Sequence, residues 1–373
     1  MKIWIINPFD NLPQEGFRPQ RYWLMSEALK QRGHEVTLWT SDFNHGLKRR
    51  RETAGNSPDW VRMVKTLSYA KNVSARRVLS HWLLAKAWTK AAEAEKKLPD
   101  AMVVSMPPLG LAKAAVEFGN RHGIKTVVDV QDAWPETFGR VLPEFIVRPL
   151  KRIARNIYLG ADAISAVAGK YADLAKGYGA KCKMKVTGHC KNRPWGLGWS
   201  QPSLDDSAVR MCYVGNMGRS YDLKTVVEAV KELEGVTLDL AGDGEQRKEL
   251  EALAKGCDRI RFHGYLPERE LAETIARCNV GVVPMFKDSQ VAVPGKLADY
   301  GVAELKVVYS LEGEIKMIAG EAGVKYEAGD KESFKAAVKE VARLEHGLKR
   351  EDFDAEKLMG EYGEWLEGIC AQA

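Results

Sequence analysis

With 373 residues, 45% hydrophobic and 28% charged, the chain has the length of two domains and the make-up of a soluble globular protein. These figures exclude a disordered or fibrous chain, and no apolar run is long enough to span a bilayer. The net charge of +6 hides an uneven split. Residues 1–195 carry 33 Lys+Arg against 17 Asp+Glu, and residues 196–373 carry 23 against 33. A basic first half points to an anionic partner there: a phosphorylated substrate, an acidic membrane surface or nucleic acid.

The opening MKIWIINPFD reads as a first strand and not as a signal peptide. Six cysteines, at 182, 190, 212, 257, 278 and 370, include no C-x-x-C pair, which predicts reduced thiols in a cytoplasmic protein. Cys182, His189 and Cys190 lie close in sequence, but no second ligand pair completes a zinc pattern, so no metal site is predicted.

In chain order, Lys2–Asn7 predicts a strand, Arg21–Arg32 an amphipathic helix and Glu35–Thr40 a second strand after the stop at Gly33. The stretch from Phe43 to about Asn72 is irregular and polar, contains Lys48-Arg49-Arg50-Arg51, and predicts a long loop. A helix follows over Ser74–Lys97. Strands are expected at Ala101–Met106, Lys125–Val130, Ala163–Val167 and Met184–Thr187, with helices near 109–122, 144–159 and 169–178 between them. Residues 188–207, rich in Gly, Pro, Trp and Ser, read as a linker. The pattern then restarts with strands at Arg210–Val214, Val236–Ala241, Arg259–His263, Val280–Pro284 and Lys306–Ser310, and closes on a helix over Phe353–Ile369. Apolar strands alternating with helices predict an α/β protein with two parallel sheets covered on both faces. The boundaries drawn are an amino-terminal domain at 1–190, a linker at 191–207, a carboxyl-terminal domain at 208–352 and a final helix at 353–373, expected to pack back on the first domain.

The chain is organised around Met211–Val230, where a short apolar run enters Gly215-Asn216-Met217-Gly218 and leaves as a helical pattern. A glycine turn between a strand and a helix aims backbone N–H groups at one point and favours an anion there. Arg219 follows directly, with a fork suited to phosphate oxygens. In Val293–Glu304, Pro294 suits a first helical position, and Lys296 in the first turn opposes the helix dipole, a conflict a bound anion removes. Lys296, Asp299 and Tyr300 share a face at helical spacing. Without ligand, Arg219 and Lys296 are expected to face solvent.

The run LDLAGDGEQRKELEALAKGCDRIRFHGYLPERELAETIARCNVGVVPM (238–285) resembles the carboxyl half of GT-B glycosyltransferases of the family 4, or group 1, kind. YVGNMGRSYDL (213–223) matches that family's diphosphate loop, and VPGKLADYGVAELKVV (293–308) is similar to its donor helix. EGFRPQRYWLMSEALKQRGHEVTLWTSDFNH (15–45) and VVDVQDAWPETF (127–138) look like amino-half signatures of its polysaccharide-building members. The resemblance implies two doubly wound, Rossmann-like domains facing across a cleft, with the nucleotide sugar on the carboxyl half and the acceptor on the amino half. It implies donor contacts at Gly16, Gly215, Asn216, Gly218, Gly264, Tyr265, Leu266, Gln290 and Asp299, with Tyr265 either stacking on the base or merely packing. Asp132, Arg219 and Lys296 are the catalytic candidates. Asp132 either positions the acceptor hydroxyl and takes its proton or caps the next helix. Arg18, His45 and Trp134 are the acceptor-side candidates, and Arg21 is read as surface charge.

Two departures from the family pattern stand out. Of an acidic pair eight apart, Asp299 is present but the first position holds Val291, with Gln290 or Ser289 as substitutes; and Glu304 stands where Gly is usual. The reading is a retaining, metal-independent hexosyltransferase with no cofactor, using a UDP- or GDP-linked sugar. Its acceptor is a glycan or a polyprenyl-diphosphate-linked glycan, in cell-surface polysaccharide synthesis at the inner face of the plasma membrane. An anionic membrane surface is the further partner expected, and nucleic acid is not expected, since no nucleic-acid module accompanies the charge. A non-catalytic subunit supporting an active partner and a sugar-nucleotide epimerase are the alternatives.

Overall fold

The computed structural model describes residues 1–16, 18–52, 57–71, 74–140, 142–192 and 208–372. It divides into one unit of Met1–Gly188 with Ala355–Ala373 and a second of His189–Asp354. Residues 193–207, most of the expected linker, lie outside the described residues.

In the first unit the strands are β1 (Lys2–Ile6), β2 (Glu35–Ser41), β3 (Phe43–Asn44), β4 (Arg49–Arg50), β5 (Val61–Val64), β6 (Ala101–Met106), β7 (Lys125–Val130), β8 (Ala163–Ala166) and β9 (Lys183–Val186). The helices are α1 (Arg21–Gln31), α2 (Ala75–Glu93), α3 (Leu109–His122), α4 (Glu144–Gly160) and α5 (Gly169–Gly177). Among the described residues, seven strands form a parallel sheet in the order β5-β2-β1-β6-β7-β8-β9. The central strands β6 and β7 are buried almost throughout, because helices cover both faces. The loop expected over 43–72 is partly structured: β3 pairs with β4 as an antiparallel hairpin, and Val61–Val64 forms the sheet edge. VRMV is only four residues without strict alternation, too short a signal to separate from loop.

The second unit holds β10 (Val209–Val214), β11 (Val236–Ala241), β12 (Ile260–Gly264), β13 (Val280–Val283), β14 (Lys306–Tyr309) and β15 (Gly323–Lys325). Its helices are α6 (Leu223–Glu232), α7 (Arg247–Ala254), α8 (Glu268–Ala276), α9 (Lys296–Val302), α10 (Glu314–Ala319) and α11 (Lys331–Val341). The strand order is β12-β11-β10-β13-β14-β15, all parallel. The chain thus winds one way from β10 and reverses at β13, and such a reversal leaves a crevice at the carboxyl ends of the two strands that flank it. The core beneath contains Met211, Tyr213, Val226, Val227, Leu238, Leu240, Val282 and Phe334.

The last helix, α12 (Ala355–Cys370), belongs to the first unit. It buries Met359, Tyr362 and Leu366, and Glu367 takes Arg32 Nη2 at 2.8 Å and the His34 ring at 2.8 Å. Among the described residues no helix is long and apolar enough to cross a membrane.

Candidate nucleotide-sugar and acceptor sites

In the second unit, β10 ends at the reversal of strand order and runs straight into Gly215. Gly215 has φ +126°, a conformation open to glycine, and its N–H donates to Ala241 O at 2.9 Å. The loop it opens is clamped by the loop after β11. Gly242 has φ +134°, and a Cβ there would lie 2.0 Å from Gly215 O; one at Gly244 would lie 2.6 Å from the Met217 backbone. Met217 N–H donates to Asp243 O at 2.8 Å and Gln246 N–H to Met217 O at 3.1 Å. The Gly-Asp-Gly run therefore holds the Gly215–Gly218 turn by backbone against backbone, a role not assigned to Gly242 and Gly244 from sequence.

Lys296, the first residue of α9, comes to the same turn from beyond β13. A Cβ on Gly215 would lie 3.7 Å from Lys296 Cε. The Lys296 ammonium sits 3.7 Å from the Tyr221 ring centroid and 4.3 Å from that of Tyr213, and Nζ is 3.3 Å from the Tyr213 hydroxyl. Lys296 is only 6% exposed, against the expectation that it faces solvent. Burial pushes its pKa well below the usual lysine range, partly opposed by Asp299, which is buried one turn further along α9. The two tyrosines explain the difference: their faces receive the cation and exclude water. Nothing in the spacing of Tyr213 and Tyr221 announced this; it takes the fold to turn both rings to one point.

Arg219 meets the expectation of exposure, at 84% of its side chain, and stands by Glu245, whose carboxylate takes Arg219 N–H at 3.1 Å and lies 3.4 Å from Nε. Asn216 lies under Gly218, where an added Cβ would meet its amide nitrogen at 2.8 Å. Gly264 ends β12 with φ +70° and accepts a hydrogen bond from Gly242 N–H at 2.7 Å, which ties its loop to the same turn. Tyr265 beyond it is 58% exposed and Leu266 half-buried. Gln290 is half-buried in the loop between β13 and α9. Tyr300 goes elsewhere than Lys296: its ring fills the space over Gly281, and its hydroxyl donates to the carbonyls of Cys212 and Val282, each at 3.2 Å. It is core. Glu304 adopts φ +54°, so a side chain occupies the left-handed position where glycine is usual.

In the first unit, Gly16 is exposed in the loop after β1 with φ +79° and open space where a Cβ would project, and Arg18 is half-buried beside it. Arg21 is not surface charge. Its Nε donates to Asp129 Oδ2 at 2.8 Å and Nη2 to Oδ1 at 3.1 Å, both residues being buried. Tyr22, Gln131 and Ser165 also donate to that carboxylate, and Arg21 holds it well ionised despite burial. Sequence spacing gave no hint of a partner 108 residues away.

Asp132 and Trp134 follow β7. Burial raises the Asp132 carboxyl above the usual carboxylate range; its Oδ1 accepts Ala133 N–H at 2.8 Å, and Trp134 also donates to it. His45 is half-buried, with Nδ1 2.6 Å from Tyr69 Oη and 3.2 Å from Lys48 Nζ, and its pKa is lowered to about 3 by burial and by Lys48. Arg77 and His81, one turn apart on α2, complete the group: Arg77 lies 5.3 Å from the Trp134 ring centroid and His81 6.1 Å from it. The Lys48–Arg51 run does not form one basic patch. Arg51 is buried against Glu15 at 2.6 Å and Arg50 pairs with Asp42 at 2.5 Å. Among the described residues no three His, Cys, Asp or Glu side chains are grouped to hold a metal ion.

This is an α/β fold of two parallel-sheet units of the GT-B kind. A family model described as "Glycosyl transferase 4-like domain" matches residues 20–186, and one described as "Glycosyl transferases group 1" matches residues 208–343. The chain belongs to the group 1 glycosyltransferases of GT-B fold, enzymes that move a sugar from a nucleotide-sugar donor. No curated protein matches the sequence significantly. Among solved structures it is similar to sucrose-phosphate synthase from Thermosynechococcus elongatus, with a TM-score of 0.68 and 16% identity over 100% of this chain and 97% of that one. It is also similar to Anabaena HepE in complex with UDP-glucose, with a TM-score of 0.62 and 12% identity over 100% and 98%. A third match is a UDP-N-acetylglucosamine 2-epimerase described from Listeria monocytogenes, with a TM-score of 0.63 and 13% identity over 98% and 97%.

Proposed function

We propose that this enzyme is a retaining, metal-independent transferase that moves a hexose from a UDP- or GDP-linked donor to a glycan or a polyprenyl-diphosphate-linked glycan. The observation that carries this reading is the Lys296 ammonium, buried between Tyr213 and Tyr221 beside the Gly215 turn. A buried cation without a full countercharge is costly, and a diphosphate is the ligand that offsets the cost. The leaving diphosphate gains negative charge as the glycosidic bond breaks. Backbone N–H groups of the Gly215–Gly218 turn, Lys296 and Arg219 then supply the stabilisation that a divalent ion gives in other transferases. Each charged hydrogen bond is worth about 1.5–3 kcal/mol.

Asp299 and Gln290 are assigned to the ribose and the donor sugar, Gly264, Tyr265 and Leu266 to the base, and Gly16 to the donor phosphates. Asp132, with its raised pKa, orients the acceptor hydroxyl and accepts its proton, while Arg18, His45 and Trp134 line the acceptor. HepE, by its description, binds UDP-glucose, which supports a UDP-linked donor. Retention and the polysaccharide setting come from the family resemblance.

The test is transfer in the presence of EDTA. Undiminished sugar release from UDP- or GDP-linked donors after chelation supports the reading. Activity abolished by EDTA and restored by Mg²⁺ or Mn²⁺ would overturn the assignment of Lys296 and Arg219 as the charges that replace a metal.

A further inference from the structure

Five segments of the first unit bring basic and aromatic side chains to one place. Phe9 follows β1, His45 and Lys48 flank the turn between β3 and β4, Tyr69 follows β5, Arg77 and His81 lie on α2, and Trp134 follows β7. Lys48 adopts φ +57°, an uncommon conformation for a side chain-bearing residue, and its ammonium lies 5.2 Å from the Tyr69 ring centroid. Arg77 lies 5.9 Å from the same ring and 5.3 Å from that of Trp134. The His81 ring is flanked by Phe9 at 5.6 Å, Tyr69 at 6.1 Å and Trp134 at 6.1 Å, is 8% exposed, and has Nε2 buried without a hydrogen-bond partner.

Two features of this group ask for an anion. Lys48 and Arg77 are close enough that Arg77 helps burial to pull the Lys48 pKa down to about 8, and both cations help to hold His45 neutral, near a pKa of about 3. Burial lowers the Arg77 pKa, opposed by a hydrogen bond with Tyr69 and then by Asp132, whose own pKa is raised by burial. A guanidinium lying against aromatic faces has its orientation fixed, and the in-plane N–H groups of such an arginine suit the two oxygens of a phosphate or carboxylate. A buried imidazole nitrogen with no partner is the second mark, since buried polar atoms are almost always satisfied in a complete structure.

We infer that Lys48, Arg77 and His81 form an oxyanion site, and that the acceptor of this transferase carries a phosphate or a carboxylate held there against Tyr69 and Trp134. This rests on the reading that the first unit holds the acceptor and Asp132 its hydroxyl. The two sources of such a group are a diphosphate-linked carrier and an acidic sugar.

Calorimetric titration of the full chain, pre-saturated with UDP, separates them, with inorganic pyrophosphate and glucuronate as the probes. Binding of pyrophosphate assigns the site to a phosphorylated carrier, and binding of glucuronate to an acidic sugar. In either case Arg77→Gln and Lys48→Gln each weaken binding about 10-fold or more, from loss of one charged contact. Arg77→Lys retains most of the affinity, and Arg269→Gln, at an exposed position on α8 of the other unit, leaves it unchanged. Wild-type affinity in both Gln variants, or binding of neither probe by a protein that binds UDP, overturns the inference. Arg77→Gln and Lys48→Gln melting with the wild type excludes misfolding as the cause. Failure of UDP itself to bind counts against the transferase reading alone, because the Arg77 and Lys48 variants still report on the anion in the absence of nucleotide.

Discussion

At the scale of single residues, two buried cations in this chain have opposite meanings. Arg21 is fully satisfied: its guanidinium meets both oxygens of Asp129, and Nη1 donates to Gly188 O at 2.7 Å. Removing it leaves the Asp129 carboxylate buried with neutral donors only. Arg21→Met is therefore expected to destabilise the fold by about 3–5 kcal/mol, the cost of breaking one side of a buried pair, seen as a lower midpoint in urea. A midpoint unchanged from wild type would show that Tyr22, Gln131 and Ser165 suffice to hold the charge. Lys296, by contrast, has aromatic faces, one hydroxyl and Asp299 nearby, and its ordinary pKa is pulled down by burial. A structural cation is matched by its surroundings; a cation kept for a ligand is matched only when the ligand arrives.

Among the elements, α9 and the turn that ends it show where the sequence was legible and where it was not. The strands β6 and β7 and the helix α3 were expected at the residues where they stand, because continuous apolar runs and a Gly123 stop are strong local signals. The glycine turn at 215–218 and helix α9 were legible for the same reason, as glycines and a first-turn lysine are local departures from a plain strand–helix connection, although α9 starts at Lys296 and not at Pro294. Edge strands β5 and β15, the Arg21–Asp129 pair and the tyrosine faces around Lys296 were not, since each depends on contacts between residues far apart in the chain. Glu304 is the case between. Its side chain in the left-handed region costs on the order of 1 kcal/mol, and its pairing with Arg350 returns part of that. Gly347 packs against Glu304 O, which leaves no room to relax the turn. Glu304→Gly is expected to melt within a few degrees of wild type, because relief of strain offsets the lost pair, and Glu304→Val to melt clearly lower. Equal melting of the two would mean that the backbone at this position is not strained.

For the whole molecule, the uneven charge of the two halves now has two addresses. Some of the basic side chains are internal: Arg21 and Arg51 are matched by Asp129 and Glu15, and Lys48 and Arg77 lie half-buried together. The outer part lies on two helices of the first unit. On α2, Val78, Leu79 and Trp82 are exposed at 70%, 47% and 52%, with the Lys86 ammonium 3.7 Å from the Trp82 ring, whereas Leu84 and Trp88 are buried in the core. On α4, Phe145 and Ile146 are exposed beside Arg148, Arg152 and Arg155. Apolar tips among arginines suit an anionic lipid surface, each basic residue contributing about 1 kcal/mol. The protein is expected to sediment with anionic vesicles, less so as salt rises, and Trp82→Ser with Phe145→Ser to reduce binding more than Arg49→Ser does. Equal sedimentation with neutral and anionic vesicles would leave these faces without a membrane role.

The central claim is that Lys296 is held unmatched in the fold to receive the donor diphosphate, and one experiment addresses it directly. Lys296→Met keeps the length of the side chain and removes the charge, so the variant should melt at or above the wild-type temperature, because a buried charge has been replaced by a group that prefers burial. Calorimetric affinity for UDP or GDP and their sugars should fall at the same time by about one to two powers of ten, the loss of one charged contact. A variant that keeps wild-type nucleotide affinity would contradict the account.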